Sequence, residues 1–366
     1  MPRNLYISNM KPNYLPYVAL LYVCCIVNFC CRPEQKKNTI LIPASNNHIQ
    51  YIGRFDFTNR DTPVFMYSGC TIRTRFTGTS LVMHLLDDSL RNWFTVKLDD
   101  SLFTLHTNRV DGIYPIGNRL TDKQHSIEIS RRTEWHGGNT AFAGFEIDKG
   151  KNLLPVPRKK RTIEFIGNSI TCGYGNEGKS HNEHFSYTTE NNYLTYGRIT
   201  AEKLEAEYVA VCRSGIGVYQ SYDGSKTFVQ PLLYDEIAMN SKAKWNYQSN
   251  EPDIVVIELG SNDVAKPLNS TAFINAYIQF IKKIRNNYPH ASIVCAAGPN
   301  EKGDSSVKFQ SYVNTVVQYF ALTDKQVYYF NFSPVESNGS DWHPDVKAHE
   351  MMAAELTAYL KNIMHW

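Results

Sequence analysis

From about residue 39 to 150 the chain alternates apolar and polar residues in short runs broken by turn residues. The runs are "YIGRFDF", "PVFMYSGCTIRTRF", "SLVMHLL", "WFTVKLDD", "SLFTLHT", "HSIEISRRT" and "AFAGFEID". A period of two sends successive side chains to opposite faces of a strand. Many short strands at even spacing predict an all-β sandwich or jelly roll over 38–152. "KNLLPVPRKKR" (151–161) is a basic, Pro-containing connection and marks the boundary. Beyond it, over 153–366, the pattern changes. Continuous apolar runs ("RTIEFI", "AEYVAVC", "PDIVVIEL", "ASIVCAA", "QVYYFNF") alternate with helical stretches near 191–204, 271–287, 306–322 and 344–364. Strands covered on both faces have no solvent side, so they lose the polar positions. Five such runs joined by helices predict a five-stranded parallel sheet in a three-layer α/β/α domain. In the last helix Val346, Met352, Leu356, Tyr359 or Leu360, and Ile363 fall on one core-facing side.

The N-terminus has a different pattern. Arg3 and Lys11 precede the apolar run "YLPYVALLYVCCIVNFCC", and charged "RPEQKKN" follows it. The run is short for a membrane span and holds Pro16, so residues 1–37 read as a signal-peptide leader and short tether. The expected location is the periplasm, the cell surface or the medium. Cys30 and Cys31 stand where a lipidated cysteine would, but "VNF" before them departs from the usual small residues, so a lipid anchor stays open.

A composition of 42% hydrophobic and 20% charged residues is that of a globular protein, and 366 residues exceed one compact core. The net charge of +3 supplies no basic stripe, which argues against a nucleic-acid partner. Four cysteines lie in the leader. Of the others, Cys212 and Cys295 fall in apolar runs and read as buried thiols, while a disulfide using Cys70 or Cys172 stays open. There is no CxxC or Cys/His metal pattern, so neither metal nor cofactor is expected. Nothing in the pattern asks for more than a monomer.

In an open parallel sheet, functional groups sit beyond the carboxyl ends of the strands. Gly167-Asn168-Ser169 follows the first run of the second region. Its serine hydroxyl can serve as a nucleophile or merely cap the next helix. "VCRSGIG" (211–217) follows the second run, where Gly215 or Gly217 can bring an N–H to a substrate oxygen or simply make a turn. "ELGSNDV" (258–264) follows the third. Asn262 there can donate into the same crevice or make an Asx turn. "GSDWHPDVKAHE" (339–350) follows the fifth, and Pro344 places His343 at a helix start. Together these supply a nucleophile, a base and two donors, the set that acyl transfer needs.

With "GNSIT", "SGIG", "GSND" and "DWHP" in that order, residues 162–364 resemble the SGNH (GDSL-like) hydrolases. The stretch "IGRFDF…GCTIRTRFTGTSLVMHLLDD" ahead of them resembles the jelly roll of carbohydrate esterase family 2. The resemblance implies an exported esterase that removes acetyl groups from a polysaccharide such as xylan or glucomannan. A carbohydrate-binding protein with a decayed site, and a lipase or thioesterase, are the competing readings. Carried over, Ser169 is the nucleophile, His343 the general base, and the Ser169 N–H, the Gly215 N–H and the Asn262 side chain the oxyanion hole. The broad family places an Asp three residues before its His. Here Ser340 holds that position and Asp341 lies two before, so Asp341 is a candidate third member beside a Ser–His dyad oriented by a backbone carbonyl.

Weaker signals surround these. Trp342 can stack on a sugar ring or pack under its loop, and Trp245 reads as packing. Asp263 is expected to brace a loop. "HNEH" (181–184) reads as a polar loop rather than a zinc site. "HGGN" (136–139) reads as a hairpin turn, and the glycine-rich "GYGNEG" (173–178) is not expected to bind a nucleotide.

Overall fold

The computed structural model describes residues 38–299 and 304–366; the leader, with its export and lipidation readings, lies outside the described residues. Nine strands fill the first region: β1 (Thr39–Ile42), β2 (Gln50–Ile52), β3 (Val64–Phe65), β4 (Thr71–Asp87), β5 (Trp93–Leu98), β6 (Ser101–His106), β7 (Ile113–Arg131), β8 (Thr140–Asp148) and β9 (Leu153–Leu154). All pair antiparallel. The alternation is visible in burial: Phe94 and Val96 of β5 are buried, while Lys97 is exposed. The pairings link the nine strands into one network around the long β4 and β7, so the jelly-roll expectation holds at the level of an antiparallel all-β domain. β9 still pairs with β4. The last strand of the first region therefore lies within the 151–161 connection.

The second region is a parallel sheet of β10 (Arg161–Gly167), β11 (Ala206–Cys212), β12 (Ile254–Glu258), β13 (Ser292–Ala297) and β14 (Val327–Asn331), in the order β11-β10-β12-β13-β14. Its helices are α1 (Ser169–Cys172), α2 (Tyr196–Lys203), α3 (Gln230–Leu233), α4 (Ser270–Asn287), α5 (Asp304–Phe320) and α6 (Val346–Met364). Alternate strand residues serve opposite faces. Ile163 and Phe165 pack with Leu204, Met352 and Leu356 of the α2–α6 layer. Ile166, Val255 and Ile257 pack with Ile281 and Val313 of the α4–α5 layer. The predicted helix over 191–204 is broken at Thr195, whose hydroxyl accepts the Arg198 N–H and caps α2 behind a short 3-10 turn.

The two regions make one compact unit over residues 38–366. Arg54, fully buried, donates to the Tyr234 carbonyl and lies 4.7 Å over the Tyr234 ring and 3.6 Å from Glu164. Arg73 pairs with Glu207, and Arg198 with Glu128 at 2.6 Å. A guanidinium left unpaired at such depth would cost several kcal/mol, so these pairs fix how the β region meets the sheet. The expected surface packing of Trp245 takes a specific form here: its ring covers Arg54 and its N–H donates to Tyr288 at 2.9 Å.

Chain order reverses on either side of β10, since β11 flanks it on one side and β12 on the other. At such a switch point the loops diverge and leave a crevice beyond the strand ends. Gly167, Cys212 and Glu258 lie in register at that edge, so the segments carrying Ser169, Gly215 and Asn262 leave the sheet side by side.

Candidate active site

Asn168, not Ser169, is the cap of α1: its side chain accepts the Ile170 N–H at 2.9 Å. The capping reading of the serine therefore falls away, and Ser169 occupies the first helical position with its hydroxyl free for other work. Gly167 is required by proximity, since a Cβ there would overlap the Thr171 hydroxyl. The helix closes after one turn at Gly173, whose φ of 88° suits a residue without a side chain.

The Ser169 Oγ lies 2.8 Å from His343 Nε2. On the other side of the ring, Nδ1 is 3.1 Å from the Ser340 carbonyl and 3.1 Å from the Asp341 carbonyl. A carbonyl can only accept, so Nδ1 carries the proton and Nε2 offers its lone pair to the serine hydroxyl. Desolvation pulls the His343 pKa below the ordinary histidine value, although the two carbonyls and the charges of Asp341 and Glu134 push the other way. The imidazole is thus neutral near pH 7, as a general base must be.

The Asp341 carboxylate does not reach the imidazole. It accepts from the Tyr174 hydroxyl at 2.9 Å, from His184 Nδ1 at 2.9 Å and from the Phe185 N–H at 2.8 Å. Partial burial opposes its charge, but these three donors hold its pKa below the usual range. Of the two alternatives open for Asp341, this geometry favours the Ser–His pair backed by carbonyls over a Ser–His–Asp triad. The physical reason is backbone geometry. Asp341 sits at φ 49° and Trp342 at φ 64°, a left-handed pair that swings the carboxylate outward and the carbonyls inward. Tyr174 joins the two sides, with its ring packed 4.2 Å from that of His343 and its hydroxyl on Asp341.

That strained turn is braced by the glycine-rich segment. Ser340 N–H donates to the Gly175 carbonyl at 2.9 Å, and Val346 N–H to the Asn176 carbonyl at 3.1 Å. Gly175 has φ 58°, and a Cβ on it would lie 2.5 Å from that of Ser340. The glycines of "GYGNEG" therefore let two backbones touch. Sequence reasoning missed this role, and it missed Tyr174; closely spaced glycines beside the nucleophile were the available signal.

Asn262 donates from Nδ2 to the Ile216 carbonyl at 2.9 Å, which aims the amide and leaves its second N–H for the crevice. Gly215 takes φ 77°, and a Cβ there would meet the Tyr222 ring at 2.8 Å. Gly217 serves differently: a Cβ on it would strike Gln220 and the Asp263 carboxylate. Asp263 accepts the N–H groups of Val218, Tyr219 and Gln220 at 2.7 to 2.9 Å, the brace expected of it, while burial lifts its pKa to about 6.

An open cleft lies above, lined by Ser169, Asn262, Pro299, Trp342, His343 and Pro344. Trp342 is 60% exposed and stacks on His181 with ring centroids 3.7 Å apart, so it walls the cleft rather than packing beneath its loop. The histidines of "HNEH" thus serve Trp342 and Asp341. Cys70, Cys172, Cys212 and Cys295 are all buried free thiols.

Comparison with known proteins matches both regions of the chain. Residues 51–157 match the family model for the carbohydrate esterase 2 N-terminal region, and residues 165–351 match that of the GDSL-like lipase/acylhydrolase family. The chain is 35% identical over 330 residues to cellulase/esterase CelE of Acetivibrio thermocellus, covering 88% of this chain and 40% of that much longer protein. It is 29% identical over 342 residues to an acetylxylan esterase / glucomannan deacetylase of Cellvibrio japonicus, covering 90% of this chain and 92% of the relative. A family two carbohydrate esterase from Clostridium thermocellum, solved in complex with cellohexaose, matches at TM-score 0.81 and 34% identity over 87% of this chain and 99% of that one.

Proposed function

Since this chain belongs to the GDSL-like acylhydrolases and, within them, to carbohydrate esterase family 2, we propose that it is an exported serine esterase that removes acetyl groups from plant polysaccharides. The observation that carries this reading is the 2.8 Å contact between Ser169 Oγ and His343 Nε2 at the mouth of an open cleft. His343 takes the serine proton as Oγ attacks the acetyl carbonyl carbon. The negative charge that develops on the carbonyl oxygen is met by the Ser169 and Gly215 N–H groups and the free N–H of Asn262. Each such donor is worth about 3–4 kcal/mol of barrier. The imidazolium then protonates the departing sugar oxygen, and a water activated by the same histidine releases acetate from the serine.

Among the described residues, no carboxylate pairs with the imidazolium that forms midway. The Ser340 and Asp341 carbonyl dipoles stabilise it directly, and the Asp341 and Glu134 charges act from farther away. The exposed face of Trp342 suits a pyranose ring, and relatives named for acetylxylan and glucomannan support a substrate of that class. The test is acetate release from acetylxylan, acetylated glucomannan and 4-nitrophenyl acetate. Activity should be present in the wild type and absent in Ser169→Ala. Binding of these polymers with no acetate release would assign the chain to carbohydrate binding instead.

A further inference from the structure

The connection between β7 and β8 carries "TEWHGGN" (133–139), and its glutamate reaches across to the α/β region. Glu134 is fully buried. Its carboxylate engages Ser214, the residue before Gly215, through both oxygens: Oε2 accepts the Ser214 N–H at 2.7 Å, and Oε1 accepts the Ser214 hydroxyl. The same Oε2 accepts from the thiol of Cys172 at 3.5 Å, three residues past the nucleophile in α1. One side chain therefore touches both segments that bear the backbone donors, α1 with the Ser169 N–H and the loop with the Gly215 N–H.

Glu134 is itself held from behind. Its N–H donates to Glu190 at 3.2 Å, its carbonyl accepts from Arg131 at 3.1 Å and from the Gly137 N–H at 3.0 Å, and His136 Nδ1 lies 3.6 Å from Oε1. Burial and the charge of Glu134 push the Glu190 pKa well up, whereas burial of Glu134 is outweighed by its hydrogen bonds to His136 and Ser214, which hold its pKa below the usual carboxylate value. Neighbouring bonds pin the far side of the loop, where Tyr222 N–H donates to the Gly215 carbonyl at 3.0 Å and Asn262 holds the Ile216 carbonyl.

We propose that Glu134 of the β region is a positioning residue for acyl transfer, aiming the Gly215 N–H at the oxyanion by gripping Ser214 through both carboxylate oxygens. The inference rests on the esterase reading above. It gives the β region a share in the chemistry. A donor displaced by about 1 Å can cost on the order of 10²-fold in rate. The ester is bound before the oxyanion exists, so the loss falls on kcat and not on KM.

The experiment compares wild type, Ser169→Ala, Glu134→Ala and Glu134→Gln on 4-nitrophenyl acetate, with thermal unfolding of each. It adds inhibition by methylboronic acid, which forms a tetrahedral adduct on the serine. Wild-type activity that vanishes in Ser169→Ala establishes the esterase; its absence would overturn both readings together. Given that activity, Glu134→Ala should lower kcat about 10–100-fold with KM within about threefold, and weaken the boronate by a similar factor. Glu134→Gln, which still reaches Ser214, should recover part of the loss. Should Glu134→Ala fail to unfold cooperatively, Glu134→Asp, too short to hold both contacts, is read in its place. A folded Glu134→Ala or Glu134→Asp with kcat within twofold of wild type, or with KM and kcat changed alike and boronate affinity intact, overturns the inference.

Discussion

Ser169 reaches the site on a regular strand and a capped turn, whereas His343 reaches it at the end of a short 3-10 turn distorted by left-handed residues. On the serine side, β10 lies between two strands, Asn168 caps α1, and one glycine lets Thr171 close in. On the histidine side, two successive residues sit at positive φ, and the turn is held from outside by Gly175, Asn176 and Tyr174. The nucleophile is placed by its own element, and the base by a neighbour. Left-handed backbone at an ordinary residue costs of order 1–3 kcal/mol and persists where surrounding structure over-determines it. Here that cost turns two carbonyls toward the imidazole and the carboxylate away.

The sharpest break in the comparison removes either reacting group. Ser169→Ala and His343→Ala should each lower kcat by about 10⁴-fold or more while unfolding near the wild-type temperature. Asn262→Ala, which deletes one aimed donor, should cost about 10²–10³-fold in kcat. Gly175→Ala tests whether the base depends on its brace. The new Cβ meets Ser340, so kcat should fall about 10–100-fold and stability by about 1–3 kcal/mol, measured by turnover and denaturant unfolding. The pH profile is a milder probe. His343 must be neutral to act, and desolvation lowers its pKa, so it stays neutral to lower pH than an ordinary histidine. The kcat/KM should therefore be flat near pH 7 and fall only below about 6.5.

How much of this was legible in the sequence follows the same division. Unbroken apolar runs such as "DIVVIEL" announce buried parallel strands, and the groups just after them inherit a place at the sheet edge. Ser169, Gly215, Asn262 and His343 could be assigned by that logic together with the family resemblance. Asp341 could not, because a spacing of two residues from the histidine says nothing about which way a left-handed residue points its side chain. Glu134 was equally hidden. It lies far along the chain from Ser214, just before "HGGN", which reads as a hairpin turn but in fact carries the chain between β7 and β8 on opposite sides of β4, and only the packing of the β region on the sheet brings them together. Thr195 broke a predicted helix because a capping hydroxyl competes locally with helical continuity.

The most direct measurement of the central claim, a base oriented by carbonyls and not by a carboxylate, is the kcat of Asp341→Asn against wild type. Asparagine tolerates the left-handed conformation and keeps the backbone carbonyl in place. The account predicts a kcat within about tenfold of wild type; a loss near 10⁴-fold, the size expected when a triad carboxylate is neutralised, would contradict it.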